Sequence, residues 1–99
     1  MKLAFVVYND LLMPRVMELL RDCDIDYYTR WDGVKGKGRG TEPHLGTGSF
    51  ASTNAALMIA FEAESPLEML IERITTFNLK APRPDEQVRI FQMPLERIV

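Results

Sequence analysis

An α+β fold of element order β-α-β-β-α-β follows from three features of this sequence. Runs rich in β-branched and aromatic residues recur four times. Two stretches among them carry apolar residues at helical spacing. All six glycines fall between Gly33 and Gly48, so the conformational freedom that weakens regular structure is concentrated in one segment. A chain of 99 residues suits one small domain, spanning 1–99, with a flexible loop at about 33–53.

The elements follow in order. Lys2 to Tyr8 reads as a buried strand that stops at the turn-forming pair Asn9-Asp10. Either residue can cap the next helix, and Pro14 sits in its first turn, where a missing N–H costs little. Met13, Val16, Met17, Leu20 and Cys23 make its inner stripe, Arg15, Glu18, Arg21 and Asp22 its wet side, and Asp24 its end. A second strand is predicted over Ile25–Trp31, with Ile25, Tyr27, Thr29 and Trp31 on one side. After the glycine-rich segment, Asn54–Ala63 reads as a third strand, with Leu57, Ile59 and Phe61 facing one way and Met58 and Ala60 the other. Ser65-Pro66-Leu67-Glu68 has the form of a helix start: a capping hydroxyl, proline at the first helical position, and a glutamate to complete the capping box. Leu67, Leu70, Ile71, Ile74 and Phe77 form that helix's apolar stripe and Asn78 its end. A proline-containing connector, Lys80 to Asp85, leads to a last strand at Gln87–Met93.

This order is the ferredoxin-like, split βαβ arrangement: a four-stranded antiparallel sheet, two helices on one face, and a long glycine-rich loop between strands 2 and 3. Phe5, Val7, Tyr27, Trp31, Met58, Ile59, Phe61 and Phe91 exceed what one helix-covered face needs. Some of them belong on the second face, which another subunit would cover.

Composition removes several function classes. With 46% hydrophobic and 26% charged residues the chain is a folding one. It has no apolar run near the roughly 18 residues of a membrane span, so direct membrane insertion is not expected. Its N-terminal apolar run is too short for a secretory signal, which makes a cytoplasmic location the expectation. The single cysteine, Cys23, excludes an intrachain disulfide and paired-cysteine zinc sites. A net charge of −2 gives no bias toward nucleic acid, although residues 30–48 carry four basic against two acidic side chains. Any nucleophile–histidine set would have to use His44, the one histidine. Cys23, at a helix end, reads as a small buried hydrophobe, and Asp22, Asp24 and Asp26 as a solvated turn. No catalytic residue is assigned, and the chain reads as a non-enzyme. His44, with Glu42 and Ser49 nearby, could gather in three copies on an oligomer axis, but it reads more simply as a surface residue, and no metal ligands are assigned.

The segment Gly33-Val34-Lys35-Gly36-Lys37-Gly38-Arg39-Gly40-Thr41 alternates free backbone with basic side chains. Glycines let N–H groups approach phosphate oxygens, and Lys and Arg supply countercharge. Neither the Walker pattern nor the dinucleotide fingerprint is satisfied, since Arg39-Gly40 follows Gly38 and a strand, not a helix, comes next. The pattern alone fits a surface loop as well as an anion or partner site.

Val34-Lys35-Gly36-Lys37-Gly38-Arg39 resembles the V-[KR]-G-x-G-R stretch at the base of the T-loop in PII signal transducers. Arg89-Ile90-Phe91-Gln92-Met93-Pro94-Leu95-Glu96 is similar to that family's K-I-F-x-x-P-x-E strand. The matches amount to about a dozen positions, although the element order covers nearly the whole chain. They point to a divergent PII-like protein, outside the nitrogen regulation of the family's core. The resemblance implies a signalling homotrimer that binds ATP, ADP or another adenine nucleotide in clefts between subunits. It further implies a T-loop that docks on a membrane transporter or metabolic enzyme. Gly36, Gly38 and Arg39 would face the phosphates, Lys37 stands between the two glycines, and Arg89 takes the place of a phosphate-binding lysine. The sequence departs from the family in three ways. Lys80 to Gln87 replaces a second glycine-rich loop, Val99 is not followed by a basic tail, and the loop has no tyrosine to be nucleotidylated. The alternative is a trimeric metal-binding or metal-tolerance protein of the CutA type, using His44.

Overall fold

Strand β1 (Lys2–Asn9) alternates buried and half-buried residues, as a chain with one face on a core must. Asn9 caps the short 3-10 turn that follows, its side-chain oxygen accepting from Leu11 N–H at 3.0 Å. That turn feeds α1 (Met13–Asp22), with Pro14 in the first turn as expected. This computed structural model describes residues 1–38 and 53–99, so most of the expected 33–53 loop lies outside the described residues.

Beyond α1 the chain runs through β2 (Thr29–Val34), β3 (Asn54–Phe61), α2 (Glu64–Leu79) and β4 (Arg89–Pro94). The sheet order is β2-β3-β1-β4 and every neighbouring pair is antiparallel. The predicted α+β, ferredoxin-like arrangement is the observed one.

Several local expectations are corrected. Ile25 is not a strand residue: it is 3% exposed and its N–H donates to Leu20 O at 2.9 Å, so it finishes the helix exit and plugs the core. Asp24 makes that reversal with a φ of 56°. The strand therefore starts four residues later and continues past Trp31 to Val34, through an irregularity containing Gly33 at a φ of 67°. A left-handed glycine is what lets an edge strand bulge there. Ser65 caps nothing. Helix α2 starts at Glu64, after Ala63 in extended conformation, and the acidic Glu64 meets the positive end of the helix dipole. Asn78 does not stop α2, which ends at Leu79. Its side-chain amide donates to Val88 O at 2.7 Å and its oxygen accepts from Val88 N–H at 2.8 Å, seating the approach to β4 on the helix.

Ala4, Val6 and Tyr8 of β1 and Ala55, Leu57, Ile59 and Phe61 of β3 pack against Val16, Leu19 and Leu20 of α1 and Leu67, Leu70 and Ile74 of α2. Leu19 joins this core although the sequence stripe omitted it, because both helices press on the same sheet face. Ile59 and Phe61 thus leave the list of surplus residues. Tyr27, ahead of β2, sets its ring edge-on to Phe61 with centroids 6.1 Å apart. The opposite sheet face carries Leu3, Phe5 and Val7 in register with Ala60, Met58 and Ala56, and with Met93, Phe91 and Arg89. Trp31 pairs with Ala56 on that face. Among the described residues, no helix is long and apolar enough to cross a membrane.

Candidate functional site

The ends of all four strands meet where β1 and β2 finish and β3 and β4 begin. Between them lies a cleft of about 380 Å³, within the usual range for small-molecule sites. Its floor includes Val7, Ala56 and Phe91. One wall is the segment Val34–Gly38, and the other includes Pro84, Asp85 and Gln87 ahead of β4.

Gly36, Lys37, Gly38 and Arg89 all line this cleft, although half of the chain separates Arg89 from the glycines. Arg39 lies outside the described residues. So do His44, Glu42 and Ser49, on which the metal alternative rests. Among the described residues, no group of three or more His, Cys, Asp or Glu side chains is placed to hold a metal ion.

Local geometry explains part of the glycine pattern. A Cβ on Gly36 would stand 2.8 Å from Asn54 Nδ2, so glycine permits β3's first residue to approach this wall. Gly33 meets nothing within 4 Å, and its positive φ is the reason for its presence. The return end of the loop is tied down as well. Asp10 N–H donates to Thr53 O at 3.0 Å, and the Thr53 hydroxyl donates to the Asp10 carboxylate. The loop base is therefore held at Asn54 beside Gly36 and at Thr53 beside Asp10.

Among the described residues, Lys35, Lys37 and Arg89 line the cleft together with one carboxylate, that of Asp85. Lys35 and Asp85 were not among the sequence candidates. Lys35 follows from the basic alternation, but no sequence pattern announces that Asp85 joins the same cleft. Cys23, buried and outside this cleft, has its thiol pushed up chiefly by burial, the opposite of an activated nucleophile.

No protein-family model matches the sequence, and no curated protein matches it. Solved structures do. CPII, a nitrogen regulatory PII-like protein from Thiomonas intermedia K12, bound to ADP and bicarbonate, superposes with a TM-score of 0.68 at 17% identity, over 97% of this chain and 88% of that one. The same protein bound to ADP, AMP and bicarbonate gives 0.69 at 16% identity, with the same coverage. A protein described as PII-like and signalling, from Thermus thermophilus, gives 0.59 at 20% identity, over 93% of this chain and 83% of that one. At these identities the likeness is one of fold: the chain shares the ferredoxin-like fold of these PII-like proteins.

Proposed function

We propose that this chain is a PII-like regulatory protein, a cytoplasmic homotrimer without enzymatic activity that binds an adenine nucleotide in the cleft beside Gly36. Nucleotide occupancy changes how the segment after Gly38 fits a partner protein, of which a transporter or metabolic enzyme is the kind the resemblance implies. The observation that carries this reading is the convergence of Gly36, Lys37, Gly38 and Arg89 on one cleft. A glycine-rich backbone with basic side chains around it is suited to phosphate oxygens. Bound ADP and AMP in the PII-like neighbours support the ligand class. Assembly is supported by the apolar open face of the sheet, where Phe91 is 53% exposed and Trp31 45%.

Native mass spectrometry of the full chain, alone and with ATP, ADP or AMP, tests this. A trimer taking up as many as three nucleotides is expected, and Arg89→Ala should remain trimeric while binding at least about tenfold more weakly, as for a lost charge-assisted contact. A monomer, or a trimer indifferent to all three nucleotides, overturns the reading.

A further inference from the structure

Two residues that do not line the cleft stand one step behind it. Asn9 and Asn54 line it, and they are the last register pair of β1 and β3 at this end of the sheet. Beyond that pair the strands stop: Asp10 opens the 3-10 turn and Thr53 lies ahead of β3. The two chains nevertheless stay joined there. Asp10 N–H donates to Thr53 O at 3.0 Å, and the Thr53 hydroxyl donates to the Asp10 carboxylate. The side-chain bond is partly buried and links residues 43 apart in the chain. A carboxylate acceptor makes it the stronger kind of hydrogen bond.

What Thr53 holds is Asn54, and Asn54 sets the glycine wall. Pairing of β2 with β3 is interrupted between Trp31 and Val34 and resumes with Val34 opposite Asn54. Two residues further on, a Cβ at Gly36 would stand 2.8 Å from Asn54 Nδ2, so that side chain abuts the Gly36 backbone. Asn54 is therefore shared between β1 and the segment Val34–Gly38. A shift of Asn54 is felt at that wall, because packed atoms have little room to absorb it.

Building on the nucleotide reading above, we infer that Asp10 and Thr53 are positioning residues for the cleft, whose side-chain bond holds Asn54 against Gly36 and fixes the spacing of the Val34–Gly38 wall. Their effect on a ligand runs through Asn54. A binding wall left about 1 Å too loose loses affinity even when every contacting residue is present.

Calorimetric titration of the full chain with ADP, paired with amide hydrogen exchange, tests this. Thr53→Val and Asp10→Ala should each weaken ADP binding by about fivefold, the scale of one hydrogen bond. The two together should be no worse than either alone, as for partners in one interaction. Thr53→Ser, which keeps the donor, and Asp10→Asn, which keeps an acceptor, should restore most of the affinity. In Thr53→Val the amides of Val34–Gly38 should exchange faster while those of Val6 and Leu57 do not change. Unchanged ADP affinity in both Thr53→Val and Asp10→Ala overturns the inference and leaves the nucleotide reading standing. Faster exchange spread equally over Val6 and Leu57 marks a general loss of stability and also overturns it. If the wild-type chain binds no ADP, the nucleotide reading fails and the positioning role is judged by exchange alone: acceleration confined to Val34–Gly38 upholds it, and none overturns it.

Discussion

The two faces of the sheet are made from alternate residues of the same strands, and they differ in what covers them. On one face Val6, Leu57, Ile59 and Phe61 are at most 1% exposed beneath α1 and α2. On the other, Phe5, Val7 and Met58 are half-buried and Phe91, Trp31 and Met93 stand open, although the residues are no less apolar. A period-2 pattern with both phases apolar is the mark of a sheet that expects a layer on each side. The helices of one chain supply one layer. A second copy supplies the other in the proposed trimer.

Substitutions on the covered face should have the largest effect on stability. Phe61→Ala opens a cavity under α2 and removes the partner of the Tyr27 ring, at a cost of about 4 kcal/mol in urea unfolding. A cost below about 1 kcal/mol means that this face is not the tightly packed one. Tyr8 sharpens the comparison through pH. Burial raises its phenol from 10.0 to about 12, and its hydroxyl donates to Met13 Sδ at 3.1 Å. Between those two pH values the unfolded chain loses a proton that the folded chain keeps. The stabilisation is therefore complete below about pH 10 and declines by about 2 kcal/mol as pH rises toward 12. Tyr8→Phe should flatten that part of the stability-against-pH curve, and an unchanged slope would place the phenol in contact with water. The smallest effect on protomer stability is expected from the open face. Phe91→Asp should leave the far-ultraviolet circular dichroism spectrum unchanged and shift unfolding by less than about 1 kcal/mol, yet abolish trimers in analytical ultracentrifugation. If the variant still sediments as a trimer, subunits meet elsewhere.

Much of the fold was legible along the chain because it rests on periodicity. The stripes of both helices and the alternation of β3 follow from spacing, and the surplus of large apolar residues pointed to a second apolar face without saying which of them lie on it. Boundaries were less so. Ile25 has the side chain of a strand residue, but helix α1 ends in a left-handed Asp24 that turns Ile25 into the core. Ser65 has every local quality of a cap, yet α2 begins one residue before it. For Ile25, burial in the core decides where the element ends. At the cleft, Gly36, Lys37 and Gly38 stood out by their alternation of glycine and basic residues and Arg89 through the resemblance of its strand, and all four line it. Asp85 was missed, since an acidic residue after a proline suggests only a turn.

By itself, the sequence determined the order of the elements, which strand residues share a face, and where the backbone is freed by glycine. These are consequences of the 3.6- and 2-residue periods and of the missing Cβ. Tertiary structure alone decided that β4 lies beside β1, so that Arg89 comes to the cleft of Gly36 and Gly38, and that Asp85 lines the same cleft as Lys35 and Lys37. Those juxtapositions join residues far apart along the chain. They exist only because two crossovers, each carrying a helix to the same face, bring the outer strands back beside the central pair.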